Sequence, residues 1–218
     1  MRNSLNSLRV VSVLVIAASG AACSEEHPTV PFYRTAALTP EWLGKRLTDN
    51  SSFHHVASFS LTDQDGKTVT SQSLDHRVSI IHFFFTRCAG VCPTSYTNIA
   101  RLLATMAGEP RIQVLSHSVM PESDSVPALR AYANTHDLTD ARWRLLTGSR
   151  SGIEKLARES YFVNLSNGSS YGVKDLAHTE TLVLVDSHGR LRGVYTGSLR
   201  LDIDRLGEDI KSVLAEAE

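Results

Sequence analysis

Cysteine is scarce in this chain: three residues in 218, at positions 23, 88 and 92. A disulfide-stapled scaffold is therefore excluded, because its framework would need more pairs. No basic run occurs and the net charge is -1, which argues against a nucleic-acid partner or an acidic membrane face as target. No uninterrupted apolar stretch reaches the roughly 20 residues that a bilayer-spanning helix needs. Nothing repeats at a fixed period, which excludes a solenoid. Composition is otherwise ordinary for a folded domain.

The longest apolar stretch is at the N-terminus. Arg2 and Arg9 form a positive leader and Val10 to Ala22 an apolar segment, interrupted by serine and glycine and ending Gly20-Ala21-Ala22-Cys23. This pattern matches an export signal. It resembles the bacterial lipoprotein signal, which is cleaved before a cysteine that is then acylated, although Gly20 stands where that signal usually has a leucine-like residue. Residues 1–22 are expected to be a lipoprotein-type signal peptide. Residues 23–42, with prolines at 28, 31 and 40, are expected to be a tether and irregular entry segment. Residues 43–218 then form one domain; about 195 residues remain after export, enough for a proper core. The expected location is the periplasmic side of a membrane, held by lipid at Cys23.

Two thiols remain, in Cys88-Ala-Gly-Val-Cys92-Pro93, directly after the apolar run Val78 to Phe85. That run reads as a buried central strand, and Pro93 to Ala107 reads as a helix with Ile99, Leu102, Leu103 and Met106 on one face. Around them, Val56 to Leu61 alternates as a half-buried strand, Asp63 to Gly66 is a turn, and Lys67 to Thr70 is the returning partner. Further strands are expected at Ile112 to Val119 and Trp143 to Leu146, with helices at Asp124 to His136, capped near Ser123 or Asp124, and at Ser149 to Glu159. A hairpin, Thr181 to Asp186 with Leu191 to Tyr195, precedes a closing helix at Asp202 to Ala217. This order predicts an α/β, thioredoxin-like mixed sheet flanked by helices, with an N-terminal β-hairpin extension.

Two cysteines with three residues between them at a strand-to-helix turn suit either soft-metal binding or disulfide chemistry. The turn lies at the carboxyl end of a central strand, where open α/β sheets present their sites. Cys92 at the start of the helix would have its thiolate favoured by exposed amides and the helix dipole. A merely stabilising disulfide is the plain alternative, but a loop this short stabilises little.

The segment from Phe83 to Pro93 resembles the Sco/SenC family of copper-binding assembly factors for cytochrome c oxidase. The resemblance runs from about Pro31 to the C-terminus and includes Asp65-Gly66-Lys67, Ser118 to Asp124, Leu146-Thr147-Gly148 and His178 to Gly189. It implies a thioredoxin fold in which Cys88, Cys92 and a distant histidine, His178 here, bind copper as Cu(I) or Cu(II). It implies delivery of copper to the dinuclear centre on the copper-bearing subunit of the oxidase, or reduction of that centre's cysteines. Periplasmic copper donors or thiol reductants would be further partners. On this reading the chain is a metallochaperone more than a turnover enzyme, and Cys88 and Cys92 double as a redox pair.

Other histidines fit less well. His54 and His55 are expected to face solvent, His82 to be a hydrogen-bonded structural residue inside a strand, and His188 to sit in a hairpin turn. His117, closing a strand near the cysteine loop, is the runner-up, with a structural role expected. The family commonly has Val-Asp-Pro-Glu where this chain has Val119-Met120-Pro121-Glu122, so an acidic residue near the site is missing. Met120 is either a soft thioether ligand or a residue that packs beside the site. Two rival functions remain. A general thiol-disulfide oxidoreductase would usually have two residues between its cysteines. A peroxidase acting in redox defence would need a threonine three positions before its reactive cysteine, where this chain has Ala89 or Phe85.

Overall fold

The computed structural model describes residues 30–42, 53–88, 92–165 and 180–216. Residues 1–22, expected to be a signal peptide, as well as Cys23 and His178, lie outside the described residues. Seven strands form one mixed sheet: β1 (Ser60–Asp63), β2 (Thr68–Thr70), β3 (Val78–Phe84), β4 (Ile112–Ser118), β5 (Trp143–Thr147), β6 (Thr181–Val185) and β7 (Leu191–Thr196). Their order across the sheet is β2-β1-β5-β4-β3-β6-β7. The middle strands β5, β4 and β3 run parallel, while β6 and β7 extend one side antiparallel and the β1–β2 hairpin extends the other. This is the thioredoxin-like mixed sheet with an N-terminal hairpin that the sequence predicts.

The strand composition explains the placement. All seven residues of β3 and all seven of β4 are buried, as expected for parallel strands covered on both faces. Alternate residues feed two cores. Ile80, Phe84, Ile112 and Val114 meet α1 (Cys92–Thr105), α2 (Val126–Thr135) and α4 (Arg200–Glu216) on one face. Ile81, Phe83, Leu115 and Val119 meet α3 (Arg150–Lys155) and the hairpin on the other. The β3–α1–β4 and β4–α2–β5 crossovers step the same way along the sheet. Right-handed connection then puts α1 and α2 on the same face, as observed. The hairpin turn needs Gly66, which adopts φ +78 while the Asp63 side chain accepts from the amides of Asp65 and Lys67.

Three elements differ from expectation. The ladder of β1 begins at Ser60, not Val56, because the amides of Val56 and Ala57 are taken by Gly189 O and Ser160 Oγ. Helix α2 begins at Val126 behind an extended Ser125, not at Asp124, whose carboxylate is engaged elsewhere. The helix expected over Ser149 to Glu159 runs α-helical only from Arg150 to Lys155, then widens into a π turn, Leu156–Ser160. Its start is capped by Ser149 Oγ, which accepts from Gly152 N. Val30 and Phe32 of the entry segment are buried against the rest of the fold. Among the described residues no helix is long and apolar enough to cross a membrane.

Candidate functional site

The two cysteines meet at the carboxyl end of β3, where the chain leaves toward β4 on one side and β6 arrives on the other. Cys88 follows a tight turn closed by its own amide donating to Phe85 O at 3.1 Å. Cys92 is the first residue of α1, with Pro93 in the first turn, where its missing N–H costs nothing. The two are joined as a disulfide with a Cα separation of 6.0 Å. Cys92 is buried and Cys88 is half-buried, packed against the cores of both sheet faces. The described state is thus the oxidised pair, and both sulfurs must be reduced before they can hold a metal.

The turn before Cys88 is tied to the end of β4 by one carboxylate. Asp124 is fully buried and accepts from Thr86 N at 3.1 Å, Thr86 Oγ1 at 2.6 Å, Ser118 Oγ at 2.6 Å and Ser123 Oγ at 3.3 Å. Val119 N adds a bond to Phe84 O at 2.8 Å. A buried carboxylate is tolerable only when hydrogen-bonded in this way. The sequence pattern, which predicts a helix cap near Ser123 or Asp124, does not reveal this role. The run Ser116-His-Ser118, polar inside a fully buried strand, was the available signal.

Met120 lies one residue beyond Val119, half-buried, and packs against the same core as Cys88. His117 is completely buried on β4, among the rings of Phe83, Phe59 and Tyr161, with Nδ1 3.1 Å from Leu115 O. Burial pushes its pKa down to about 4. His82 is likewise buried, 3.3 Å from Ser116 Oγ, and is lowered to about 4, first by burial and then by the nearby His117. Both are neutral structural histidines, as expected. His188 is exposed in the β6–β7 turn. His55 is exposed, but His54 is not the solvent-facing residue expected: it is half-buried, 2.9 Å from Ser160 O and tilted against the Phe162 ring, because the π turn brings that carbonyl to it.

Among the described residues no three His, Cys, Asp or Glu side chains gather as a metal cluster. A groove of about 290 Å³ lies between Ala57–Leu61 and α3 and is lined by neither cysteine. The thiol pair instead sits at the carboxyl end of β3, with Cys88 half-buried and Cys92 buried at the start of α1.

A model of the SCO1/SenC family matches residues 48–215, which is most of the chain. The chain belongs to the SCO1/SenC family. Among curated relatives, the SCO1 protein homolog of Bacillus subtilis is 29% identical over 171 residues, covering 78% of this chain and 87% of the relative. Two solved SCO1/SenC structures have the same fold. One is BsSco, described as having a disulfide switch and as a member of the Sco family of cytochrome c oxidase assembly proteins. It is 29% identical, with TM-score 0.64 over 74% of this chain and 94% of its own. The other is copper-bound ScoI of Bradyrhizobium japonicum, at 28% identity and TM-score 0.61, covering 73% of this chain and 99% of its own.

Proposed function

We propose that this chain is an exported copper-binding protein. It delivers copper to the dinuclear copper centre of cytochrome c oxidase, or reduces that centre's cysteines, during assembly. The observation that carries the reading is the Cys88–Cys92 pair at the carboxyl end of β3 in an SCO1/SenC member. The copper-bound relative and the assembly role ascribed to BsSco support it.

The donor set suits the ion. Two thiolates favour Cu(I) over harder ions. The disulfide must first take up two electrons and two protons, supplied by an external dithiol whose own sulfurs become a disulfide. Binding one Cu(I) then releases the two thiol protons. His178 is the proposed third ligand. It stands three residues before Thr181, which lies at the start of β6 beside the carboxyl end of β3. Glu180 between them is anchored: its carbonyl accepts from Gly197 N at 2.6 Å and its carboxylate accepts from Ser198 Oγ. Run in the other direction, the reduced pair can donate two electrons to a target disulfide and return to the bonded state. Both directions are stoichiometric, which makes the chain a metallochaperone or reductant rather than a turnover enzyme.

Residues 1–22 are proposed to direct export, with acylated Cys23 holding the domain on the membrane facing the periplasm. The copper-bearing subunit of the oxidase and periplasmic copper donors or thiol reductants are the proposed partners. A deletion strain tests the reading. Oxidase activity should fall, and added copper should restore it at least partly if delivery is the main role. Rescue by a thiol reductant, with copper ineffective, would assign the chain to disulfide reduction. Normal oxidase with impaired peroxide tolerance would overturn both and indicate a general redox-defence site.

A further inference from the structure

We propose that Met120 is a ligand of the same metal site, supplying a thioether sulfur to Cu(I) beside the two cysteines; this rests on the copper reading above. Strands β3 and β4 are parallel, with Phe84 opposite Ser118. Val119 N still donates to Phe84 O beyond that pair, so Met120 and the turn from Thr86 to Cys88 leave the same end of two adjacent strands. Both sulfur-bearing side chains are half-buried and pack against the same apolar core, and their residues follow the adjacent carboxyl ends of β3 and β4.

The position of Met120 is held from both sides. Its amide donates to Ser118 Oγ at 3.1 Å, and its carbonyl accepts from Ser123 N and Asp124 N, each at 3.0 Å. Asp124 reaches across from that same turn to Thr86. One buried carboxylate therefore sets the spacing between the turn carrying Met120 and the turn carrying Cys88. The chain's other described methionine lies elsewhere. Met106 is buried on the opposite face between α1 and α4, where its end lies near Gly207.

A thioether is neutral and needs no deprotonation, and it is soft. It therefore stabilises Cu(I) without adding negative charge to a bis-thiolate and adds little for Cu(II). The structure thus assigns this chain a site biased toward the reduced ion.

The test uses the full chain, reduced with a phosphine and titrated anaerobically with Cu(I) against a competing chelator. Met120→Leu, which keeps the volume, should weaken Cu(I) binding about tenfold or more, while Met106→Leu should leave it unchanged. In selenomethionine-labelled Met106→Leu protein, copper-edge absorption should show a selenium neighbour that disappears when Met120→Leu is added. Unchanged affinity and no selenium neighbour, with copper still lost in Cys88→Ser, would overturn the Met120 assignment and leave the copper reading standing. Cys88→Ser binding copper like the parent would overturn both.

Discussion

Thr86 and Asp124, 38 residues apart in sequence, are joined twice: the threonine amide and hydroxyl each donate to one oxygen of the buried carboxylate. This bond pair fastens the turn before Cys88 to the turn that follows β4. Asp124→Ala would leave the hydroxyls of Ser118 and Thr86 and the Thr86 amide without their acceptor. Each unmet buried group costs about 1–3 kcal/mol, so a total loss of at least about 3 kcal/mol is expected, measured by urea unfolding of the oxidised chain. Asp124→Asn, which keeps one acceptor oxygen, should lose less. Equal losses for the two would mean that the second oxygen contributes nothing.

Copper ligation separates the histidines. Cys88→Ala and Cys92→Ala should each abolish tight binding to the reduced chain. His178→Ala should weaken it by about 100-fold or more, since loss of a ligand exceeds the 10- to 100-fold typical of residues that only orient ligands. His117 is sealed among aromatic rings. If His117→Ala loses copper while His178→Ala does not, the assignment of the third ligand is reversed.

Stability should fall on the acid side for a specific reason. His82 and His117 are buried and neutral, with pKa values lowered to about 4 from the 6.5 of an unfolded histidine. Their folded values lie below their unfolded values, so the unfolded chain binds protons first as pH drops. The stabilisation is complete above about pH 6.5 and is lost between there and about pH 4. Each histidine contributes on the order of 3 kcal/mol to that loss. Unfolding free energy measured from pH 7 to 4.5 should decline with a slope approaching two protons. A flat profile over that window would show that the two rings are not held neutral.

Arg192 clamps both ends of the domain. It is buried, donates to Val30 O at 2.7 Å and Pro31 O at 3.1 Å, and pairs with Glu216 at 2.6 Å, with its guanidinium 3.8 Å above the Phe32 ring. Asp186 keeps a partner in Arg190 at 2.8 Å if Arg192 is lost. Arg192→Met is therefore expected to cost about 3 kcal/mol, at the lower end for breaking a buried ion pair. The entry segment should detach as well, so limited proteolysis should cut within residues 30–42 of the variant and spare the parent. Resistance to cleavage at parental stability would contradict the clamp.

Membrane attachment has a direct readout. Mass spectrometry of the membrane fraction should find a chain beginning at an acylated Cys23. A free chain cleaved elsewhere, without lipid, would remove the lipoprotein assignment while leaving export intact.

Most of the architecture was legible because it is written in short-range pattern. The unbroken apolar run of β3, the helical spacing of Ile99, Leu102 and Leu103, and the Asp63–Gly66 turn each depend on neighbours within a few residues. So does the placement of two thiols at a strand-to-helix junction. Elements whose ends depend on distant partners were misjudged. Val56 to Phe59 have an alternating pattern, yet the amides of Val56 and Ala57 are claimed by residues more than 100 positions away. The π turn at Leu156–Ser160 has no signature in periodicity.

By itself the sequence determined the order of elements, the central strand and the residue types available for chemistry, since hydrophobic period and turn chemistry act locally. Tertiary structure alone decided what the polar residues do. Asp124 became a clamp between two loops instead of a helix cap, and Arg192 became a buried tie between the two ends of the domain. The physical reason is that a buried charge must find its partners wherever the sheet order brings them. That order placed the ends of β3 and β4 side by side and so set Thr86 against Asp124.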